Sequence, residues 1–262
     1  MQNDDQQVGQ IVNRREAIIL LGLTGASLIS GCSRGESVNV ASGQTANAGS
    51  GAQAGAATSP APGCVVRPQE TAGPYYVDEK LNRSDIRSDP SDGSVKEGAP
   101  FELTFNVSQI GNAGCAPLAS AIVDVWHCDA LGVYSDVHDA NGFFDTKGKK
   151  FLRGYQLTDT SGRAVFRAIY PGWYEGRTVH IHFTIRNGGG AAGGNEFTSQ
   201  LYFADSDNDR ILSQAPYSTK GQRTMKNDDD GIFRENGSLL IVAVQPAWKG
   251  YTGTVDIALQ LA

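Results

Sequence analysis

Residues 178–186 alternate without interruption: Val179, Ile181, Phe183 and Ile185 are apolar, and His180, His182, Thr184 and Arg186 between them are polar. A period of two belongs to a β-strand, whose successive side chains point to opposite faces of the pleat. A helix would scatter the same apolar set around its axis. Short runs of this kind recur at 101–109, 121–128, 153–157, 164–169, 199–203, 239–245 and 252–261, with turn signals such as Asp159-Thr-Ser-Gly162 between them. No long stretch carries a helical period. Strands with one apolar face must bury that face against another sheet, so the expected fold is all-β, an antiparallel β-sandwich with long loops and little helix.

Two segments read differently. Residues 204–235 are polar and irregular, and are expected to form a surface excursion with at most one short helix near 207–213. Asp205-Ser-Asp-Asn-Asp209 resembles the start of a calcium loop, but Arg210 stands where glycine is needed and Pro216 where the last ligand belongs, so a solvated turn or helix cap is the better reading. Asp228-Asp-Asp-Gly231 reads as a turn.

The chain has 262 residues, and its formal net charge of −6, with no basic patch, argues against a nucleic-acid partner. Arg14-Arg15 precedes an apolar run from Ala17 to Ile29, too short for a permanent membrane span and suited to an export signal. The arginine pair resembles a twin-arginine signal, although Asn13 stands where Ser or Thr is usual. Ile29-Ser-Gly-Cys32 resembles a lipoprotein processing site with Cys32 as the lipidated residue; simple cleavage nearby is the alternative. Residues 1–32 are thus expected to be a signal peptide and 33–62, rich in Ser, Gly and Ala without an aromatic, a flexible tether. The domain spans 63–262, and the expected location is extracytoplasmic, in the periplasm or cell envelope, with membrane attachment through the lipid. In an oxidising compartment two of the remaining cysteines can pair. Cys64 with Cys115 is the favoured pairing, leaving Cys128 a buried thiol.

Two histidines at i and i+2 on a strand set their ring nitrogens side by side, close enough to share a metal ion if other ligands converge. The remaining two of the four histidines, His127 and His138, lie near Tyr134. His127 reads as a structural histidine and His138 as a loop residue at the rim. The runs Trp126-His-Cys-Asp-Ala-Leu-Gly-Val-Tyr134-Ser, Tyr170-Pro-Gly-Trp-Tyr174 and Arg177-Thr-Val-His180-Ile-His182-Phe, with Gly73-Pro-Tyr-Tyr76 and Ser199-Gln200-Leu-Tyr-Phe203, resemble the intradiol ring-cleavage dioxygenases. The resemblance extends from about Pro68 to the end of the chain.

That resemblance implies a single Fe(III) held by Tyr134, Tyr174, His180 and His182. Tyr134 would stay bound, while Tyr174 dissociates and works as a base. It also implies Arg177 and Gln200 in the substrate pocket with catalytic roles, and Tyr75, Tyr76 and Trp173 as pocket walls. The substrates would be a small aromatic diol of the catechol type and O2, and the product a muconate-type diacid. A homo-oligomer is one arrangement open to such a chain. Phenolate is a hard anionic donor that suits ferric iron better than zinc, and a tyrosine of ordinary pKa near 10 ionises at neutral pH only beside a strong positive charge. Two other readings stand beside this one. Residues 157–174 also resemble transthyretin-like sandwich modules, which bind without catalysis. A zinc or iron(II) site could instead combine His180 and His182 with a carboxylate such as Asp129 or Asp136. Residues 187–194, rich in glycine, are expected to form a flexible loop that adjusts access to the pocket.

Overall fold

The structure, a computed structural model, describes residues 64–112, 114–140, 142–187 and 195–260, all within one unit spanning Ala57–Ala262. The expected signal peptide, Cys32, the tether and the loop at 188–194 lie outside the described residues.

Among the described residues, nine strands form two sheets. They are β1 (Pro100–Gly111), β2 (Gly114–Pro117), β3 (Ile122–Trp126), β4 (Arg153–Leu157), β5 (Arg163–Ile169), β6 (His180–Arg186), β7 (Glu196–Tyr202), β8 (Gln245–Ala247) and β9 (Gly250–Gln260). One sheet runs β2-β1-β9-β8, with β5 also paired to β1; the other runs β4-β3-β6-β7. Phe101, Leu103, Phe105 and Val107 of β1 face Ile181, Phe183 and Ile185 of β6 in one core, where the Phe105 and Phe183 rings lie 5.2 Å apart. The sandwich is therefore built on the alternation visible in the sequence. One pairing departs from the antiparallel expectation: β1 and β9 run parallel over ten register pairs, from Phe101 opposite Tyr251 to Ile110 opposite Gln260.

The expected strand at 239–245 is not a ladder. Leu240, Val242 and Val244 are buried and Leu239 and Ile241 exposed, so the alternation is real. But Gly237–Leu240 is a 3₁₀ turn, only Ile241 bridges to Tyr202, and regular pairing begins at β8. Burial periodicity without a neighbouring backbone gives an extended segment, not a strand.

Residues 204–235 are also not a surface excursion. They contain α1 (Asp205–Leu212) and α2 (Gly231–Asn236), and bury Asn208, Ile211, Tyr217, Asn227, Asp230 and Phe233. Polar bonds tie this segment to the sandwich. Tyr170 Oη donates to Asn208 Oδ1 at 2.7 Å, and Asn227 Nδ2 donates to the Phe203 carbonyl at 2.9 Å. Asp230, expected in a turn, caps α2 by accepting from the Ile232 and Phe233 amides.

The polar face of β6 is roofed. The segment from Cys64 to Val77 crosses it, with Glu70 N donating to Thr198 O at 3.0 Å and Ser199 Oγ to Pro68 O at 2.8 Å. Cys64 is joined to Cys115 of β2 by a disulfide, which anchors the start of this roof. Gly73 sits so close to His182 that a Cβ there would lie 3.1 Å from the imidazole Cε1. With φ +70° as well, glycine is the residue that permits this approach.

Candidate active site

Register sets the first half of the site. Trp126, His182 and Gln200 are directly opposed across β3, β6 and β7, and His180 is opposed to Tyr202. Opposed residues share a face, so these five side chains form two rows under the roof. Trp126 lies parallel to His182, with ring centroids 5.2 Å apart and planes within 2°.

The second half comes from two loops locked together. After β3, Asp129 Oδ1 accepts from the amides of Leu131 and Val133, closing a tight turn. Gly132, at φ +83°, comes so close to the Trp173 carbonyl that no Cβ would fit. Gly172 packs against the Ala130 carbonyl with the same consequence. Lys220 Nζ then donates to both Leu131 O (2.6 Å) and Trp173 O (2.8 Å), one cation bridging both loops. This clamp brings Tyr134 beside Tyr174, with ring centroids 5.7 Å apart and planes 75° to one another.

The four expected ligands meet. Tyr174 Oη lies 3.1 Å from His180 Nε2, Tyr134 Oη 3.5 Å from the same nitrogen, and His182 Nε2 3.1 Å from it. His180 Nδ1 is 2.6 Å from the Thr178 carbonyl, which can only accept, so the proton is on Nδ1 and the Nε2 lone pair faces the cluster. Burial drives the imidazoles of His180 and His182 well below their ordinary pKa and those of both phenols up, so every member is neutral unless a cation is present. Metal–nitrogen bonds of about 2.1 Å place neighbouring ligand atoms about 3.0–3.4 Å apart. The donor set and its spacing therefore fit one hard, highly charged ion that replaces the phenolic protons.

The other expected residues fall into place unevenly. Tyr75 stacks on Tyr134 at 4.7 Å, stands edge-on to Tyr174 at 6.1 Å and donates to Asp139 Oδ1 at 2.5 Å. Tyr76 packs beside Trp126 and accepts from Arg186 at 2.9 Å. Trp173, expected in the pocket wall, packs with the main core, with Lys220 Nζ 4.7 Å from its ring. Arg177 donates to Asp230 Oδ2 (2.9 Å) and Gln200 Oε1 (2.6 Å). His127 is buried, with Nδ1 2.8 Å from the Cys128 carbonyl, and burial lowers its pKa to about 4. His138 is exposed, 3.3 Å from Asp145. Cys128 is a buried free thiol.

The zinc or iron(II) reading lacks its carboxylate. Asp129 is committed to Lys96 and to loop amides, and Asp136 Oδ1 accepts from the Gly148 amide. Among the described residues no three His, Cys, Asp or Glu side chains converge to hold a metal.

Several supports escaped the sequence reading. Tyr202 Oη donates to Glu70 Oε2 at 2.6 Å and lies 3.3 Å from Arg177 Nη2, so a buried chain runs from Glu70 to Arg177 and Gln200. The spacing of Gln200 and Tyr202 on a strand was the available signal; nothing local marks Glu70. Burial, opposed by the Tyr202 hydrogen bond, raises the Glu70 carboxyl to about 7 from 4.5. An acid whose pKa is raised by folding holds a proton that the unfolded chain releases, so stability falls as pH rises through this interval. Urea unfolding midpoints are expected to drop between pH 5 and pH 7.5 in the wild type and to drop less in Glu70→Gln. Equal pH slopes in the two proteins would remove Glu70 as the source.

A family model described as dioxygenase matches residues 71–230. Catechol 1,2-dioxygenase 2 of Acinetobacter lwoffii is 30% identical over 158 residues, 51% of this chain and 50% of that protein. A chlorocatechol 1,2-dioxygenase of Pseudomonas sp. strain P51 is 31% identical over 110 residues, 35% of this chain and 40% of that protein. The chain spans about half the length of the curated relatives it matches. Among solved structures, an intradiol ring-cleavage dioxygenase from Tetranychus urticae superposes with a TM-score of 0.64 at 30% identity, over 75% of this chain and 95% of that one. The dioxygenase domain of a carbohydrate-binding fusion protein from Streptomyces sp. SirexAA-E superposes with a TM-score of 0.51 at 28% identity, over 75% of this chain and 99% of that one.

Proposed function

The chain belongs to the intradiol ring-cleavage dioxygenase family, and from that premise we propose that it opens a catechol-type aromatic ring with O2 between the two hydroxyl-bearing carbons, giving a muconate-type diacid. One observation carries the reading: two phenol oxygens and a second imidazole nitrogen lie within 3.1–3.5 Å of His180 Nε2. Relatives named for catechol and chlorocatechol support the substrate class. A non-catalytic sandwich module would leave that convergence without a purpose.

A ferric ion held by Tyr134, Tyr174, His180 and His182 would supply Lewis acidity toward two adjacent hydroxyls, and the charge that makes buried phenolates stable at neutral pH. The chain's own groups account for the remaining steps. The Thr178 carbonyl keeps the His180 proton on Nδ1, so Nε2 remains a donor of its lone pair. Tyr134 is fully buried and has no room to leave, whereas Tyr174 follows the Pro171-Gly172 turn and is less enclosed. Tyr174 Oη is therefore the atom that takes a hydroxyl proton from an incoming catechol. Tyr75 offers an aromatic wall beside both phenols. Arg177 cannot lose its proton, and with Asp230 and Gln200 fixing its fork it presents charge where the opening ring accumulates electrons.

The proposal includes location. Residues 1–32 are taken as a twin-arginine, lipoprotein-type signal, Cys32 as the lipid anchor and 33–62 as the tether; the Cys64–Cys115 disulfide supports an oxidising compartment.

The test uses the iron-loaded protein. It is expected to be reddish brown, to shift its visible band when a catechol is added without oxygen, and to form one diacid per O2 consumed once air is admitted. A colourless protein that takes up no oxygen with any catechol would overturn the reading.

A further inference from the structure

Glu70 lies in the segment that roofs β6, and among the described residues its carboxyl makes one hydrogen bond. Oε2 accepts from Tyr202 Oη at 2.6 Å, while Oε1 is buried with no protein partner. Burying a carboxyl with one oxygen unpaired costs free energy, so this placement is a poor device for stability alone. The backbone around it is fixed. Glu70 N donates to Thr198 O at 3.0 Å, and the neighbouring Thr71 carbonyl accepts from Gln200 Nε2 at 3.0 Å. The roof is thus tied to β7 at Thr198 and Gln200, and it delivers the carboxyl to Tyr202 on the same strand.

Tyr202 Oη stands at a junction of the site. Besides Glu70 Oε2, it lies 3.2 Å from Gln200 Oε1 and 3.3 Å from Arg177 Nη2, and Nη2 itself donates to Gln200 Oε1 at 2.6 Å. The hydroxyl has one proton and two oxygens that can accept it. With the proton on the Glu70 side, its lone pairs face Arg177, and both N–H groups of Nη2 find acceptors in Gln200 Oε1 and Tyr202 Oη. With the proton turned to Gln200 Oε1, one of those acceptors is lost and the other is shared. The Gln200 amide has no freedom to turn over, because the Thr71 carbonyl holds its Nε2. Arg177 Nε is fixed by Asp230 at 2.9 Å, so the Nη2 contacts decide how the rest of the fork is aimed.

We propose that Glu70 is a positioning residue that acts through Tyr202: by taking the Tyr202 proton it sets the direction of the hydrogen-bond chain and so aims the Arg177 guanidinium. A protonated carboxyl still offers a carbonyl oxygen, so the arrangement holds in either charge state of Glu70. The inference rests on the reading above of Arg177 as the group that meets charge on the opening ring. It extends that reading to a residue of the roof that touches neither the ligands nor Arg177 itself.

The experiment follows catechol turnover by the iron-loaded full-length protein. Glu70→Leu removes the acceptor, Glu70→Met is a second acceptor-free variant, and Glu70→Gln keeps an oxygen for Tyr202. Combining Glu70→Leu with Tyr202→Phe removes the proton as well, and circular dichroism establishes folding. E70L is expected to lower kcat about 10- to 100-fold, the scale of a group displaced by about 1 Å. KM should stay within about threefold of wild type, because the lost interaction is made in the transition state. E70Q is expected to keep kcat within about threefold of wild type. The double variant has no misdirected proton, and Gln200 Oε1 returns to Arg177, so its kcat should exceed that of E70L; a purely structural Glu70 would make it slower. Wild-type kcat in folded E70L and E70M, a rise in KM alone, E70Q as slow as E70L, a shifted visible band in E70L, or a double variant no faster than E70L would each overturn the proposal. The ferric reading has its own readout: a wild type that is colourless and takes up no oxygen removes that reading, an outcome distinct from these.

Discussion

Tyr134→Phe is expected to bleach most of the visible band and to lower kcat/KM by roughly two to three and a half orders of magnitude. The substitution deletes one oxygen from a fully buried site and changes little else, since the ring keeps its stacking with Tyr75 at 4.7 Å. On the ferric reading proposed above, what is lost is an anion facing a trivalent ion. Leaving a buried charge without its partner costs about 3–5 kcal/mol, and each factor of ten corresponds to about 1.4 kcal/mol. Absorption spectra and oxygen uptake with a catechol check both halves. A Tyr134→Phe protein with the wild-type spectrum would place this oxygen outside the coordination sphere.

Asp230→Ala is expected to give the largest loss of stability, about 3–5 kcal/mol in urea unfolding, with a fall in turnover. Asp230 is buried, and both its oxygens are in use. Oδ2 accepts from Arg177 Nε and from the Thr178 amide, each at 2.9 Å, and Oδ1 caps α2 through Ile232 and Phe233. Alanine therefore strands a guanidinium and removes a cap, the second worth about 1 kcal/mol by itself. Asp230→Asn keeps one acceptor oxygen for the cap but loses the charge and the acceptor facing Arg177 and the Thr178 amide, so it should fall between wild type and Asp230→Ala. Thr178 also orients His180 through its carbonyl, which ties this acid to the ligand set. If Asp230→Ala unfolds within about 1 kcal/mol of wild type, the Arg177 pair is not what holds this segment in place.

Much of the frame was readable before any coordinates. The face carrying His180 and His182 follows from the pleat alone, and so does the core face of β1. The Pro171-Gly172 turn before Tyr174 could be read as a reversal, and Gly172 is needed there because the Ala130 carbonyl packs against it. The Cys64–Cys115 pairing was also accessible. Other parts were invisible for identifiable reasons. β2, Gly114-Cys-Ala-Pro117, has four residues and no alternation, and it is a strand only because the end of β1 lies beside it. The parallel β1–β9 pair joins segments about 150 residues apart, and no local signal selects that neighbour. Residues 239–244 show the opposite case, with a strand-like burial pattern but only the single bridge at Ile241.

The supporting charges were the least legible. Asp230 reads as one of three acids before a glycine until Arg177 is found against it, and Lys220 reads as a surface lysine until two carbonyls are found around it. Arg153 in sequence is an ordinary strand residue, and only the fold buries it against Ser135 and the Tyr75 carbonyl.

What the chain determined alone was the direction of each side chain relative to its strand, because alternation is a property of the pleat and needs no neighbour. It also determined the order of the four donor groups. That their oxygens and nitrogens meet at one point, that Trp173 joins the core, and that Lys220 bridges two loops were decided by the packing of loops against a roofed sheet, because such contacts join residues whose separation along the chain says nothing about their distance in space.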